Sequence, residues 1–258
     1  LMLLLVLVAI FADQIVPYSR ATELNIPERL QGPSAEHWFG TGGYGRDEFA
    51  RIVHGSRYSL SIGFLSTLLG LVIGGFLGIL GAYYGGAVDG IIMRIADVLV
   101  AIPTILLSLA IVSALGASVV ILIGAIAFTR IPVFTRVIRS AALNLVNQDF
   151  VEAARAGGTS DLRIIVRHII PNAMGTILVQ TTMSVAFVIM QAATLSFLGM
   201  GIQAPAPEWG YMLNEAREFA KNSAYLLWFP GMSIVLSALS CNLLGDGLRD
   251  ALDPKLKN

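Results

Sequence analysis

One cysteine and three histidines are all that this chain of 258 residues contains of those two types. Cys241 has no partner for a disulfide or a cysteine-based metal site, and its apolar setting makes it a small packing residue. His37, His54 and His168 fall in separate segments without paired ligand spacing, which disfavours a histidine metal centre. Lysine is nearly as scarce. Lys221, Lys255 and Lys257 lie in no Gly-x-x-x-x-Gly-Lys-Ser/Thr loop, so the phosphate cradle needed for ATP hydrolysis is missing. No serine or cysteine occupies a nucleophile elbow. A non-catalytic chain without a cofactor or metal of its own is the expectation.

Charge is also sparse. Charged residues make up 13% of the chain, and 17 basic residues balance 17 acidic ones, so nothing in the net charge argues for nucleic acid. What is abundant is apolar: 55% hydrophobic residues and a mean hydropathy of +0.74 point to an all-α, polytopic membrane protein. About six spans are expected. The first, residues 1–17, reads as a helix whose cytoplasmic start is missing. A signal peptide is disfavoured there by the lack of a basic leader and a small-x-small cleavage site. Residues 18–58 form a mixed polar loop, with an interfacial helix between Phe49 and Ser59, and residues 59–258 form the membrane domain.

The second span, about Tyr58 to Tyr84, carries Gly70, Gly74 and Gly78 at four-residue steps, a spacing that lets another helix approach closely in lipid. That helix belongs either to this chain or to a partner. Arg94 and Asp97 follow at pairing distance on a helix. The run from Val98 to Phe128 divides at Gly116–Ser118 into two spans, with a kink at Pro103 in the earlier one. Arg130 sits at the inner end of the fourth span. A charge inside a membrane costs roughly 2.5–3.5 kcal/mol on insertion scales; snorkelling to the boundary is preferred to a place on a pathway. The fifth span, about Ala173 to Met200, holds Gln180, Met183, Ser184, Met190, Gln191 and Thr194, the candidate lining of a translocation path. Helix-to-helix hydrogen bonding is the plainer alternative. The sixth runs from about Leu226 to Leu244.

Between the fourth and fifth spans lies a polar island, Asp149 to Asn172, within a loop of residues 145–172. Asp149 and Glu152 have capping-box spacing, Gly157 and Gly158 stop a first helix, and Thr159 or Ser160 caps a second. Leu162, Ile165, Val166 and Ile169 form one face of that second helix, Arg163 and Arg167 another, and Pro171 closes it.

Glu152, Ala153 and Ala154, three residues, Gly158, and then Ile170–Pro171 form a pattern that resembles the EAA loop in permease subunits of ABC importers. A second stretch, Phe39, Gly40, Thr41, Gly45, Arg46, Asp47, Arg51, Gly55, Arg57, Ser59 and Leu60, is similar to the dipeptide, oligopeptide and nickel branch of that family. Gly42 stands where the branch usually has Asp, and Ala50 where it has Ser. Arg136, Arg139, His168 and the ending from Asn242 also match. Arg46 and Asp47 either pair with each other to organise the loop or touch substrate, the pairing being preferred.

The resemblance implies a type I ABC importer permease fold in the cytoplasmic membrane of a bacterium or archaeon. It implies that Glu152, Ala153, Ala154, Gly158, Arg163, Arg167 and Pro171 couple to a separate ATPase that holds ATP and Mg. The partners it implies are a second permease, forming a heterodimer, two cytoplasmic ATPases and an extracytoplasmic binding protein. Short peptides are the implied cargo. A nickel or metal-chelate importer is the alternative, and an ATP-independent channel or carrier is the alternative of another class. Six Arg from Arg130 to His168, against two basic and three acidic residues from Gly201 to Ser223, place the EAA-like loop and both termini inside.

Overall fold

A computed structural model describes residues 1–252, and the end of the tail motif, residues 253–258, lies outside them. The described residues are almost wholly helical: α1 (Met2–Ile10), α2 (Ala12–Ile15), α3 (Tyr18–Thr22), α4 (Glu48–Tyr84), α5 (Gly86–Val100), α6 (Thr104–Leu115), α7 (Val119–Val146), α8 (Asp149–Ala156), α9 (Asp161–Ile164), α10 (Ile170–Phe197), α11 (Trp209–Ala216) and α12 (Tyr225–Leu252).

Among the described residues, four helices are long and apolar enough by themselves to cross a membrane: α4, α7, the continuous Asp161–Phe197 rod and α12. Helices α5 and α6 make a fifth only as one broken span, bent by 84°. The expected kink at Pro103 is therefore a full break. Proline removes a donor and pushes the preceding residue out of the helical region; Pro103 itself takes extended geometry and starts α6. Helices α1 and α2 together reach only about 20 Å at 1.5 Å per residue, short of a hydrocarbon core of about 30 Å. The interfacial helix expected at Phe49–Ser59 is no separate element but the first turns of α4.

Helix α4 is the axis of the molecule. Its 37 residues extend roughly 55 Å, enough to connect both membrane faces. The glycine stripe on α4 meets α7 of the same chain. A Cβ at Gly74 would stand 2.4 Å from the Ile131 carbonyl, and one at Gly78 2.5 Å from that of Thr135. In lipid, where apolar burial drives little, this backbone approach is what holds two helices together. Two ion pairs then fasten α5 across α7. Asp97 accepts from Arg136 at 2.6 Å, and Asp89 accepts from Arg139. Asp97 thus pairs across helices, not with Arg94 as its spacing suggested.

At the Glu48 end, α11 plugs into α4. Trp209 is buried and donates its indole N–H to the Ile52 carbonyl at 3.0 Å, passing over Gly55. Glu208 caps α11 by accepting the Gly210 and Tyr211 amides at 2.9 and 2.8 Å. Burial pushes its carboxyl above the ordinary range, against the pull of those donors.

Candidate functional site

The polar island folds as a hairpin of two short helices at the Tyr84 end of α4. Helix α8 begins without the anticipated capping box. Gln148 is its N-cap, no side chain bonds the first amides, and Asp149 and Glu152 lie in the first turn near the positive end. Its end is as anticipated: Gly158 adopts φ +76°, the Gly158 amide donates to Arg155 and the Thr159 amide to Ala154, the paired bonds of a Schellman motif. Ser160 precedes α9, again without a side-chain cap.

Pro171 does not close the second helix. The chain continues from α9 through a π turn, Ile165–Ile169, straight into α10, with Pro171 in its first turn. A wider turn just before the proline absorbs the missing donor. The expected single apolar face is divided: Ile169, with Ile164, is enclosed with Val151, Ala142, Val146 and Tyr83, whereas Leu162 and Val166 are 72% and 55% exposed. Exposed beside them are Glu152, Ala153, Gly158, Arg163 and Arg167; Ala154 is half-buried. Asp161 ties the hairpin down by accepting the Tyr83 hydroxyl at 2.7 Å, and the Arg155 guanidinium lies 4.7 Å from the Tyr83 ring. The result is a rigid knuckle with charged and apolar side chains facing outward together.

Along α10 the candidate path residues separate into two sets. Met183, Met190 and Thr194 are exposed on one stripe with Phe187, which polarity alone did not single out. Ser184 and Gln191 face inward. Gln191 donates to Ser108 at 3.0 Å, and Ser184 accepts from both Arg130 at 3.0 Å and the half-buried Gln180 at 3.4 Å. Arg130 does not snorkel. It is buried, 7% exposed, on the twelfth residue of α7, with its stem against Gly70.

At the far end of α4, the stretch around Gly45, Arg46 and Asp47 is interior structure. Gly45 takes φ +73° and packs so closely on the Asn25 carbonyl that no side chain fits. Asp47 caps α4 through the Ala50 amide at 2.9 Å and holds His37 at 2.8 Å. Arg46 reaches Glu215 at 3.4 Å, so the two neighbours do not pair with each other. Glu48, Arg51 and Glu215 complete a buried charge cluster that spacing did not reveal, since Glu215 comes from α11. A Cβ at Gly42 would lie 2.7 Å from the Glu48 carboxylate. The absence of the usual Asp thus keeps a further carboxylate away from Glu48. Among the described residues, no three His, Cys, Asp or Glu side chains converge as a metal site.

A bundle of helices long and apolar enough to cross a membrane, with an exposed, hydrogen-bonded knuckle between two of them, is the architecture of a polytopic membrane protein. Residues 70–258 match the family described as binding-protein-dependent transport system inner membrane component, and the chain belongs to that family. It is 48% identical over 253 residues to the dipeptide transport system permease protein DppC of Alkalihalophilus pseudofirmus, covering 98% of this chain and 83% of that one. It is 45% identical over 256 residues to the glutathione transport system permease protein GsiD of Pectobacterium atrosepticum, covering 99% and 85%. Among solved structures, an inward-facing MetNI methionine ABC transporter chain aligns with TM-score 0.65 at 19% identity, covering 79% of this chain and 96% of that one, a likeness of fold.

Proposed function

We propose that this chain is the permease subunit of an ATP-driven importer that carries short peptides across the cytoplasmic membrane of a bacterium. A second, different permease completes the path, two cytoplasmic ATPases carrying ATP and Mg drive it, and an extracytoplasmic binding protein delivers the cargo. The observation that carries the reading is the knuckle. Glu152, Leu162, Arg163, Val166 and Arg167 are all exposed on it, with no ion pair among the described residues, and the hairpin that carries them runs on into the rod of α10. Such a mixed apolar and charged patch fits a protein cleft. Because α9, the π turn and α10 are continuous, displacement of the knuckle moves the exposed stripe of α10 with it. Nucleotide-driven closure of the ATPases then biases the path between outward and inward access.

The peptide reading is supported by the relatives named for dipeptide and glutathione transport, both bacterial. The test is ATPase activity of the reconstituted complex with its binding protein, presented with a short-peptide pool or with a nickel chelate. Stimulation by peptide alone is the expected result. Stimulation by the chelate alone moves the cargo to metal, and uptake by this chain alone without ATP replaces the importer with a carrier.

A further inference from the structure

Three arginines lie on the membrane helix α7, and two of them are neutralised: Arg136 by Asp97 and Arg139 by Asp89. The third, Arg130, is the deepest. Among the described residues no carboxylate lies within 4.0 Å of it. Its Nε is enclosed and makes no hydrogen bond, and Nη2 donates to a neutral hydroxyl, Ser184. The guanidinium is 4.8 Å from the ring centroid of Phe187 and 6.0 Å from that of Phe134. Ring faces and one hydroxyl soften a buried cation but do not cancel it. Helix α4 approaches closely at Gly70, where a Cβ would stand 2.9 Å from that of Arg130, so the root of the side chain is enclosed between the two helices.

The surroundings of the charge are those of a path. Phe187, half-exposed on the stripe with Met183 and Met190, is the cover between the guanidinium and the open side of α10. Gln180, which shares the Ser184 hydroxyl with Arg130, borders an open cleft of ≈ 430 Å³ together with Asn172, Thr176 and Arg249. A buried cation without a carboxylate partner among the described residues, behind one half-exposed ring and beside an amide donor, is complementary to a carboxylate.

We propose that Arg130 is a cargo-binding residue of the translocation path that takes the terminal carboxylate of a passing peptide, with Gln180 as a second donor. The proposal rests on the peptide reading above. It gives the path a selectivity step of its own, separate from that of the binding protein. A planar guanidinium pairs with a carboxylate through two parallel bonds, and loses that partner when the carboxylate becomes an amide.

The test is binding of radiolabelled Ala-Phe and of its C-terminal amide to the complete transporter in nanodiscs, without the binding protein. The wild type should prefer the acid by on the order of tenfold, the scale of one charge-assisted hydrogen bond. R130Q should bind the two alike, and R130K should keep part of the preference. An acid preference unchanged in R130Q, or none in a wild type that binds both, overturns the proposal. A wild type that binds neither peptide also overturns the proposal, while the peptide reading is judged separately by ATPase stimulation with the binding protein present. If R130Q does not assemble, R130K and S184A decide: a reduced preference in either supports the site, and a full preference in both overturns it.

Discussion

Glu48 and Arg51, one turn apart at the start of α4, are both almost fully buried, and Arg51 bonds to Glu48 at 3.0 Å as well as to Glu215 on α11. The arginine thus serves two carboxylates that belong to different elements. Removing one member of a buried ion cluster strands the rest without water, at a cost of about 3–5 kcal/mol. Arg51→Met is therefore expected to lower the melting temperature of the purified complex sharply. Arg20→Met removes a 45% exposed partner of Asp47 at 3.5 Å, and should shift stability by no more than about 1 kcal/mol. Equal shifts in the two variants would refute the assignment of the cluster as the fastening of α11 to α4. Sequence reasoning drew attention to Arg46 and Asp47 because a motif names them. It had no means of finding Glu215, whose place beside Arg51 depends on how α11 returns across the top of the bundle.

At the scale of elements, glycine spacing was informative where it fixed a contact. The stripe at Gly70, Gly74 and Gly78 left two partners open, and the structure assigns it to α7 through backbone distances that tolerate no side chain. Gly74→Ala should cost most of the folded yield in membranes. Gly90→Ala on α5, where an added Cβ meets nothing within 4 Å, should be neutral or gain up to about 1 kcal/mol from better helix propensity. Comparable loss in both would show that the α4–α7 seam is not what the glycines serve. The break after Gly158 was equally legible, because a left-handed residue is a local requirement. The continuation through Pro171 was not, since a π turn that accommodates proline leaves no local signature, and the face read as one unit divides there, with Ile169 buried and Leu162 and Val166 exposed. For the coupling role, Glu152→Lys and Gly158→Val should weaken co-purification of the ATPases while the permease stays in the membrane. Gly158→Val acts through φ +76°, which a β-branched residue does not accept. Intact co-purification and uptake in both variants would remove the knuckle from the coupling path.

For the whole molecule, the proposed coupling makes the arrangement a lever with a working face. The knuckle is one end of a 37-residue rod, Asp161–Phe197, and the stripe of Met183, Phe187, Met190 and Thr194 lies along it. Polarity and pliable methionines in the sequence drew attention to this helix, but the six residues they name combine two surfaces, and only burial separates Met183, Met190 and Thr194 from Ser184 and Gln191. The single native cysteine is buried, so thiol chemistry reads this division directly. Single cysteines at 183, 190 and 194 in the assembled transporter should react with a membrane-impermeant maleimide, while cysteines at 184 and 191 stay protected. If the rod rocks with the ATPases, labelling of Met190→Cys from the outside should rise when a non-hydrolysable nucleotide holds them closed, and fall when nucleotide is withdrawn. Reactivity at 184 and 191 equal to that at 183 and 190 would mean that the exposed stripe faces lipid or the partner permease, and that the path runs elsewhere. Reactivity confined to the stripe but indifferent to nucleotide would leave the path in place and detach it from the lever.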